Sequence, residues 1–382
     1  MARINAHLYP SDLLNESRIF RITEAMVRNG IVDRVEIIGV QRDGLPMLDR
    51  VDSNRNLVRL RRSIAPRSQG LLGKTVRTIE WSVRALNYLR KQNFLYINAH
   101  SLPVLPLCFI ASKLTGARLI YDTHELETET HSCRDIRQRL ARLVERLLIK
   151  RCSGVFVVSD TIADWYVARY GIARPYVVRN IPTPAHSNTD QPVDLKERLN
   201  IPSHHRLYLY QGGFLPGRGI ERLLRVFATL PTEYHLTLMG DGPLLNVVRA
   251  AAAQTANIHF FPAVPPSDVL RHTRTADVGI CPTESTCLSY HYSLPNKLFE
   301  FLHAELPVIV TPLPEQVALV EQFQCGWIAP ADDRAFAELL SGLTSEDIEQ
   351  ASRGAVAAAT HYTWQHEEGT LVRAYGELRA AE

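Results

Sequence analysis

The sequence predicts an α/β protein of two doubly wound, Rossmann-like domains in tandem. Short apolar β-type runs alternate with helix-period segments from end to end, the pattern of βαβ units around a parallel sheet. The chain has 382 residues, beyond the size at which a single core usually stops growing. The stretch NIPTPAHSNTDQPVD (180–194) is rich in Pro, Asn, Thr and Asp; it reads as a linker between two such alternating series.

The first series has strands near 3–7, 34–40, 94–98, 117–122, 154–159 and 175–179. Its helices fall near 16–29, 74–92, 103–114, 135–151 and 160–170. The second has strands near 206–212, 234–240, 257–261, 277–281, 307–311 and 326–329. Helices are expected near 218–230, 242–254, 266–274, 294–304, 314–322, 332–342, 345–360 and 363–380. Domains at 1–180 and 181–362 follow. In sheets of this kind ligands bind beyond the strand C-terminal ends, so the loops at those ends are the candidate sites.

Composition excludes several classes. With 46% hydrophobic and 22% charged residues the chain is ordinary for a globular protein. The longest apolar run, LPVLPLCFIA (102–111), is about half the ~20 residues a membrane span needs. The N-terminus carries no signal-peptide core, and six scattered cysteines without a CxxC pair fit reduced thiols and no zinc site. A cytoplasmic location is expected. Residues 1–185 hold 29 Lys+Arg against 17 Asp+Glu, whereas the remainder holds 14 against 23, so different partners are expected for the two halves. The excess sits partly on two amphipathic helices. One has the stripe Ile136, Leu140, Leu143, Leu147 among Arg134, Arg137, Arg139, Arg142, Arg146, Lys150 and Arg151. The other has Val76, Ile79, Val83, Leu86 with Lys74, Arg77, Arg84, Arg90 and Lys91. The plainer reading is a core-facing stripe with a solvated basic face; the alternative is peripheral docking on an anionic membrane. Nucleic acid is disfavoured, because the basic helices lack interleaved aromatics and the second half is acidic.

Two segments of the second half suit a nucleotide sugar. YQGGFLPGRGIERLL (210–224) runs from strand through a glycine turn into a helix. Gly212, Gly213, Gly217 and Gly219 let backbone approach a ligand, the helix N-terminus offers N–H groups to an anion, and Arg218 suits a diphosphate. A glycine-rich turn with a solvated Arg is the plainer reading. In SLPNKLFEFLHAELPVIVT (293–311), Ser293 is a candidate N-cap, and Lys297 and Glu300 share one helix face. A carboxylate there can accept both ribose hydroxyls; a solvated ion pair is the competing reading. MGDGPLL (239–245), with Gly240, Asp241 and Gly242, lines the same edge but also makes good capping chemistry. In the first half, YDTHELETE (121–129) puts Asp122, His124 and Glu125 at a strand end facing the cleft. His7, Asn15, Glu16, His100 and Ser101 lie on neighbouring edge loops as acceptor-side candidates.

In their order and spacing these motifs resemble the retaining family 4 glycosyltransferases of the GT-B fold, the bacterial group 1 enzymes of polysaccharide and lipopolysaccharide assembly. GGFLPGRGIERLL, LMGDGPLL, ADVGICP and LPNKLFEFLHAELPVI carry the likeness most strongly; YDTHE, VVSDTIADWY and VVRNIP add to it. The resemblance implies two Rossmann-like domains facing a central cleft, a nucleotide-sugar donor (UDP- or GDP-sugar) on the second, no metal, and a C-terminal helix, 363–382, crossing back to the first. It implies that Glu300 binds the donor ribose, that Arg218 stands for the usual diphosphate-binding Lys, and that His124 lies beside the donor sugar. Three departures stand out. Gly213 replaces a usual Arg, with Lys297 a candidate for the missing charge. Tyr292, followed by Ser293 and Leu294 in the donor loop, occupies the position of a usual Glu. YPSDLLNESR (9–18) replaces a glycine-rich loop.

The expected function is transfer of a sugar from a nucleotide diphosphate to a glycan or lipid-linked acceptor in cell-surface polysaccharide synthesis. His124, Arg218 and Lys297 are the candidate catalytic residues, with no cofactor. A nucleotide-sugar 2-epimerase of the same fold and a non-catalytic nucleotide-sugar-binding subunit are the alternatives.

Overall fold

The structure is a computed structural model describing residues 2–14, 16–62, 71–183 and 191–380. Asn15 and most of the expected linker, 184–190, lie outside the described residues. The chain divides into two compact units, 1–180 with 365–382, and 181–364.

The first unit is built on strands β1 (Ile4–Leu8), β2 (Arg34–Val40), β3 (Leu48–Arg50), β4 (Arg55–Leu60), β5 (Phe94–Ala99), β6 (Arg118–Asp122), β7 (Gly154–Val157) and β8 (Tyr176–Val177). They form one sheet in the order β3-β4-β2-β1-β5-β6-β7-β8, parallel except for β3 against β4. Helices α1 (Ser17–Arg28), α2 (Leu71–Leu89), α3 (Leu105–Thr115), α4 (Asp135–Leu148) and α5 (Asp160–Tyr170) connect them. The central strands are buried on both faces, which is why they read as continuous apolar runs. Strands β3 and β4 are absent from the sequence expectation. RNLVRL carries two arginines, yet both are buried and supplied with acceptors. Arg55 meets Asp52 at 2.6 Å and the Phe20 carbonyl at 2.8 Å, and Arg59 meets the Asp12 carbonyl at 2.8 Å. An arginine so paired can occupy a strand that hydropathy alone rejects.

The core-facing reading of the two basic helices is corrected by the structure. Helix α2 turns Trp81, Ala85 and Leu89 inward, the indole N–H donating to the Gly39 carbonyl at 3.1 Å, and exposes Val76, Ile79 and Val83. Helix α4 exposes its entire stripe of Ile136, Leu140, Leu143 and Leu147.

The second unit carries β9 (Arg206–Gly213), β10 (Tyr234–Asp241), β11 (Ile258–Pro262), β12 (Val278–Cys281), β13 (Val308–Val310) and β14 (Gly326–Ile328), all parallel, in the order β11-β10-β9-β12-β13-β14. Its helices are α6 (Leu195–Arg198), α7 (Ile220–Phe227), α8 (Leu245–Gln254), α9 (Val269–Thr273), α10 (Leu288–His291), α11 (Asn296–His303), α12 (Pro314–Phe323), α13 (Asp333–Gly342) and α14 (Ser345–His361). Strand β9 shows how the sheet is covered. Leu207 and Leu209 join Leu298, Phe301 and Leu302 in one core layer, and Tyr208 and Tyr210 join Ile220, Leu223 and Phe227 in the other. Side chains cap the helices: Asp194 for α6, Asp332 for α13, and a Thr344–Asp347 capping box for α14.

The last helix, α15 (Trp364–Ala380), packs on the first unit. Tyr375 accepts from the Asn98 amide at 2.6 Å, Glu367 accepts from the Arg179 backbone N–H at 2.7 Å, and Glu368 pairs with Arg28. Among the described residues no helix is long and apolar enough to cross a membrane.

Candidate donor and acceptor sites

In the second unit the candidate residues gather where the strand order reverses, between β9 and β12, at the strand C-terminal ends. The turn after β9 crosses over the end of β12. Gly219, at φ +75°, caps α7, and a Cβ there would lie 2.0 Å from the Pro282 carbonyl oxygen. Gly240 lets β10 approach β9: a Cβ on it would lie 1.9 Å from the Gly212 oxygen. Gly212 and Gly213 are exposed at the lip of this turn. Gly242 packs on the Phe214 backbone, and the exposed Asp241 accepts from the Gly242 N–H at 2.7 Å.

Two cations stand here, each against a tyrosine. The Lys297 ammonium lies 3.7 Å from the Tyr210 ring centroid, and the Arg218 guanidinium 4.4 Å from that of Tyr290. Neither makes a side-chain hydrogen bond or ion pair among the described residues, so the competing reading of a Lys297–Glu300 ion pair does not hold. Lys297 is buried, and burial drives its ammonium down to about 7, with Arg218 adding to the shift against Cys281 and Glu300. Glu300 is held by a relay that sequence reasoning missed. The Thr273 hydroxyl donates to Gln211 Oε1 at 2.7 Å, and Gln211 Nε2 donates to Glu300 Oε2 at 2.6 Å. Tyr210 and Gln211 lie in the strand that leads into the glycine turn, and nothing in their spacing marks them as site residues.

The loop before α11 differs from expectation. Ser293 is not the N-cap: Pro295 holds an extended conformation and the helix opens at Asn296, so the Ser293 hydroxyl lies too early to reach the first turn. Its carbonyl instead accepts from Gln316 at 3.1 Å. Leu294 is buried in the core, leaving only backbone for a ligand, and Tyr292 caps the end of α10 beside His291.

In the first unit the candidates lie where the order reverses between β1 and β5, and at the end of β6. Asp122 stands at the C-terminal end of β6, where it was expected, but as a buried group rather than one open to a ligand. It is buried and forked by Arg18 at 2.7 Å, and Arg18 also donates to the Val178 carbonyl at 2.5 Å. Burial pushes the Asp122 carboxyl up, but Arg18 and the His100 hydrogen bond outweigh it and hold it well below the usual range. A line of imidazoles runs from it. His100 Nδ1 stands 3.2 Å from Asp122 Oδ2 and 3.2 Å from His124 Nε2. His100 Nε2 stands 2.7 Å from His7 Nδ1, and His7 Nε2 2.9 Å from the Asn5 amide. The ionised carboxylate only accepts, so one set of neutral tautomers satisfies the line: Asn5 donates to His7, His7 to His100, and His100 to Asp122 and His124. That leaves the remaining His124 hydrogen on Nδ1.

His7 and His100 are fully buried and cannot meet an acceptor directly; their place is behind His124. His124 is half-buried under the stacked ring of Tyr9, 5.4 Å away, and Glu125 is half-buried beside it. Donor atoms of His100, Asp122 and His124 all lie within 4.8 Å of one another, close enough to ligate a metal. The Arg18 fork on Asp122 opposes a second cation at that point.

Comparison with known proteins agrees with this architecture. Residues 16–184 match the glycosyl transferase 4-like domain, and residues 205–346 the glycosyl transferases group 1 domain. The glycosyltransferase YqgM of Bacillus subtilis (strain 168) is 29% identical over 168 residues, 42% of this chain and 44% of that protein, so the likeness spans less than half of that relative. A sucrose-phosphate synthase from Thermosynechococcus elongatus superposes with a TM-score of 0.80 at 17% identity over 100% of both chains. Anabaena HepE in complex with UDP-glucose superposes at 0.73 and 14% identity, over 99% of this chain and 100% of that one. The fold is GT-B, two α/β domains with parallel sheets. The chain belongs to the group 1 (family 4) glycosyltransferases.

Proposed function

We propose that this protein transfers a sugar from a nucleotide diphosphate donor, a UDP- or GDP-sugar, to a glycan or lipid-linked acceptor in cell-surface polysaccharide synthesis. The observation that carries the donor reading is the pair of cations, Lys297 and Arg218, seated on tyrosine rings without carboxylate partners beside an oriented Glu300. Desolvating a cation and leaving it unpaired is costly unless an anion arrives. A diphosphate supplies that anion, and Glu300 accepts the ribose hydroxyls. As the sugar leaves, charge grows on the diphosphate, and Lys297, Arg218 and the α7 N-terminal amides stabilise it where water is thinned. HepE, of the same fold, holds UDP-glucose, which favours a uridine donor. In this reading Lys297 supplies the charge lost with the Arg that Gly213 replaces. The acceptor is received by the first unit around His124 and Glu125, at a membrane's inner face, and transfer proceeds with retention and without a metal.

Thermal-shift titration against UDP, GDP, dTDP, ADP and their sugar conjugates tests the proposal. A ligand at 100 times its dissociation constant adds about 2.7 kcal/mol. One nucleotide should stand out and lose its effect in Glu300→Ala. No shift from well-folded protein with any nucleotide would sink the donor assignment, and nucleotide binding without transfer to any acceptor would favour a binding subunit.

A further inference from the structure

Helix α4 is attached to its unit the wrong way round for a helix held by hydrophobic burial. Its inward face is polar. Glu145, fully buried, accepts from the hydroxyls of Tyr121, Tyr166 and Tyr170 at 2.8, 2.9 and 2.7 Å. Arg142 forks Glu129 at 2.6 and 2.8 Å, and Gln138 donates to the Thr128 carbonyl at 2.9 Å. Its apolar stripe points to solvent, Ile136 being 72% exposed and Leu147 61%. Ordinary amphipathic helices do the opposite.

The neighbours extend this face. Right-handed crossovers place α2, α3 and α4 on one side of the sheet, α2 against α3 and α3 against α4. Val76, Ile79 and Val83 of α2 and Ile110 and Leu114 of α3 are exposed there as well. An apolar surface spread over three helices is more than scattered exposure explains. Its border is basic: Arg137, Arg139, Arg146 and Lys150 are exposed on or just beyond α4, and Lys113 on α3. Asp135 is the one exposed acid within α4.

We infer that this three-helix face docks on an anionic lipid surface, the apolar stripes entering the headgroup boundary and the arginines meeting lipid phosphates. The chemistry is that of an interfacial helix, apolar on one face with cations beside it. Here the polar network around Glu145 fixes the helix to the domain, so the stripe is displayed before lipid is met. The inference rests on the proposal that the acceptor is presented at a membrane, and names the surface that reaches it.

The test is flotation of the purified full chain with vesicles of phosphatidylcholine alone and of phosphatidylcholine with about 30 mol% phosphatidylglycerol. The protein should float with the anionic vesicles, much less with the neutral ones, and be released as salt rises from about 0.1 to about 0.5 M. Substituting Arg137→Gln, Arg139→Gln and Arg146→Gln together should weaken binding about a hundredfold, roughly fivefold for each charge. Leu140→Glu with Leu143→Glu should abolish it with an unchanged circular dichroism spectrum, because both positions are already exposed. The nucleotide-induced thermal shift, which reports the second unit, should persist in both variants. Its loss from the unsubstituted protein, with flotation intact, would sink the donor proposal alone. Failure to float with anionic vesicles, or equal flotation with neutral ones, would overturn the docking inference. So would a stable dimer in sedimentation that Leu140→Glu dissociates, which would give the face to a second copy of the chain.

Discussion

Lys297 is a residue whose protonation should answer to its ligand. It is held at about 7 by burial, so near neutral pH a large fraction is uncharged. A diphosphate favours the ammonium, so nucleotide binding at pH 8 should take up a proton. Calorimetry in buffers of different ionisation enthalpy reads this uptake, and Lys297→Arg, charged throughout, should remove it. Affinity should fall as pH rises from 6 to 8.5. Stability has the opposite dependence. The folded value lies below the ~10.4 of an unfolded lysine, so the unfolded chain binds more protons between about pH 7 and 10. This residue therefore makes stability rise with pH across that window. Lys297→Met should raise Tm by roughly 2–5 °C while removing nucleotide binding, a change that thermal melts with and without UDP would detect. For Glu300→Ala, transfer activity should drop at least tenfold with Tm changed little, since the carboxylate is only half-buried.

At the scale of the element, the sheets carry their titration across strands. His124 is held at about 3 and His7 is also lowered, each mainly by burial, while His235 and His259 of β10 and β11 are lowered in the second unit. All lie below the ~6.5 of an unfolded histidine. The stability they contribute is present above that value and lost as pH falls toward the folded values. Melts should therefore show Tm dropping by several degrees between about pH 7 and 5, and Asp122→Asn should deepen the drop by loosening the first unit's line. The close approach of β10 to β9 makes a steric prediction: Gly240→Ala should cost about 1–3 kcal/mol in denaturant unfolding. Most elements were legible because their periods are clean, and the βαβ alternation carried the architecture. What stayed hidden was polarity inside the fold. Arg55 and Arg59 masked β4, and Gln211 in β9 looked like strand filler although it orients Glu300. Glu145 looked like one charge on a basic helix although it is the anchor that turns α4 over. Each is a buried polar group with at least one partner distant in sequence, and local pattern has no access to that partner.

Across the whole molecule, the basic first half and acidic second half divide between a unit with an exposed basic, apolar face and a unit bearing Lys297 and Arg218 on their tyrosine rings. Hydrogen exchange should separate them. UDP should slow exchange at 210–219 and 283–300, and anionic vesicles should slow it along 135–148; protection in the reverse pattern would contradict the allocation. Transfer that survives excess EDTA would support the metal-free reading, and abolition restored by a divalent cation would refute it.

Helix α15 gives the molecule a timetable. Its Tyr375 and Glu367 complete contacts to Asn98 and Arg179, so the first unit awaits residues that lie beyond the whole second unit in the chain. At ribosomal rates of ~5–20 residues per second, the 185 residues from 180 to 365 take roughly 10–40 s to emerge. During that interval the nascent first unit stays open along the surface α15 will cover, while the second unit can close from contiguous chain. The half that is synthesised first is therefore the half that finishes folding last, and it is the one to which a ribosome-bound chaperone has the longest access.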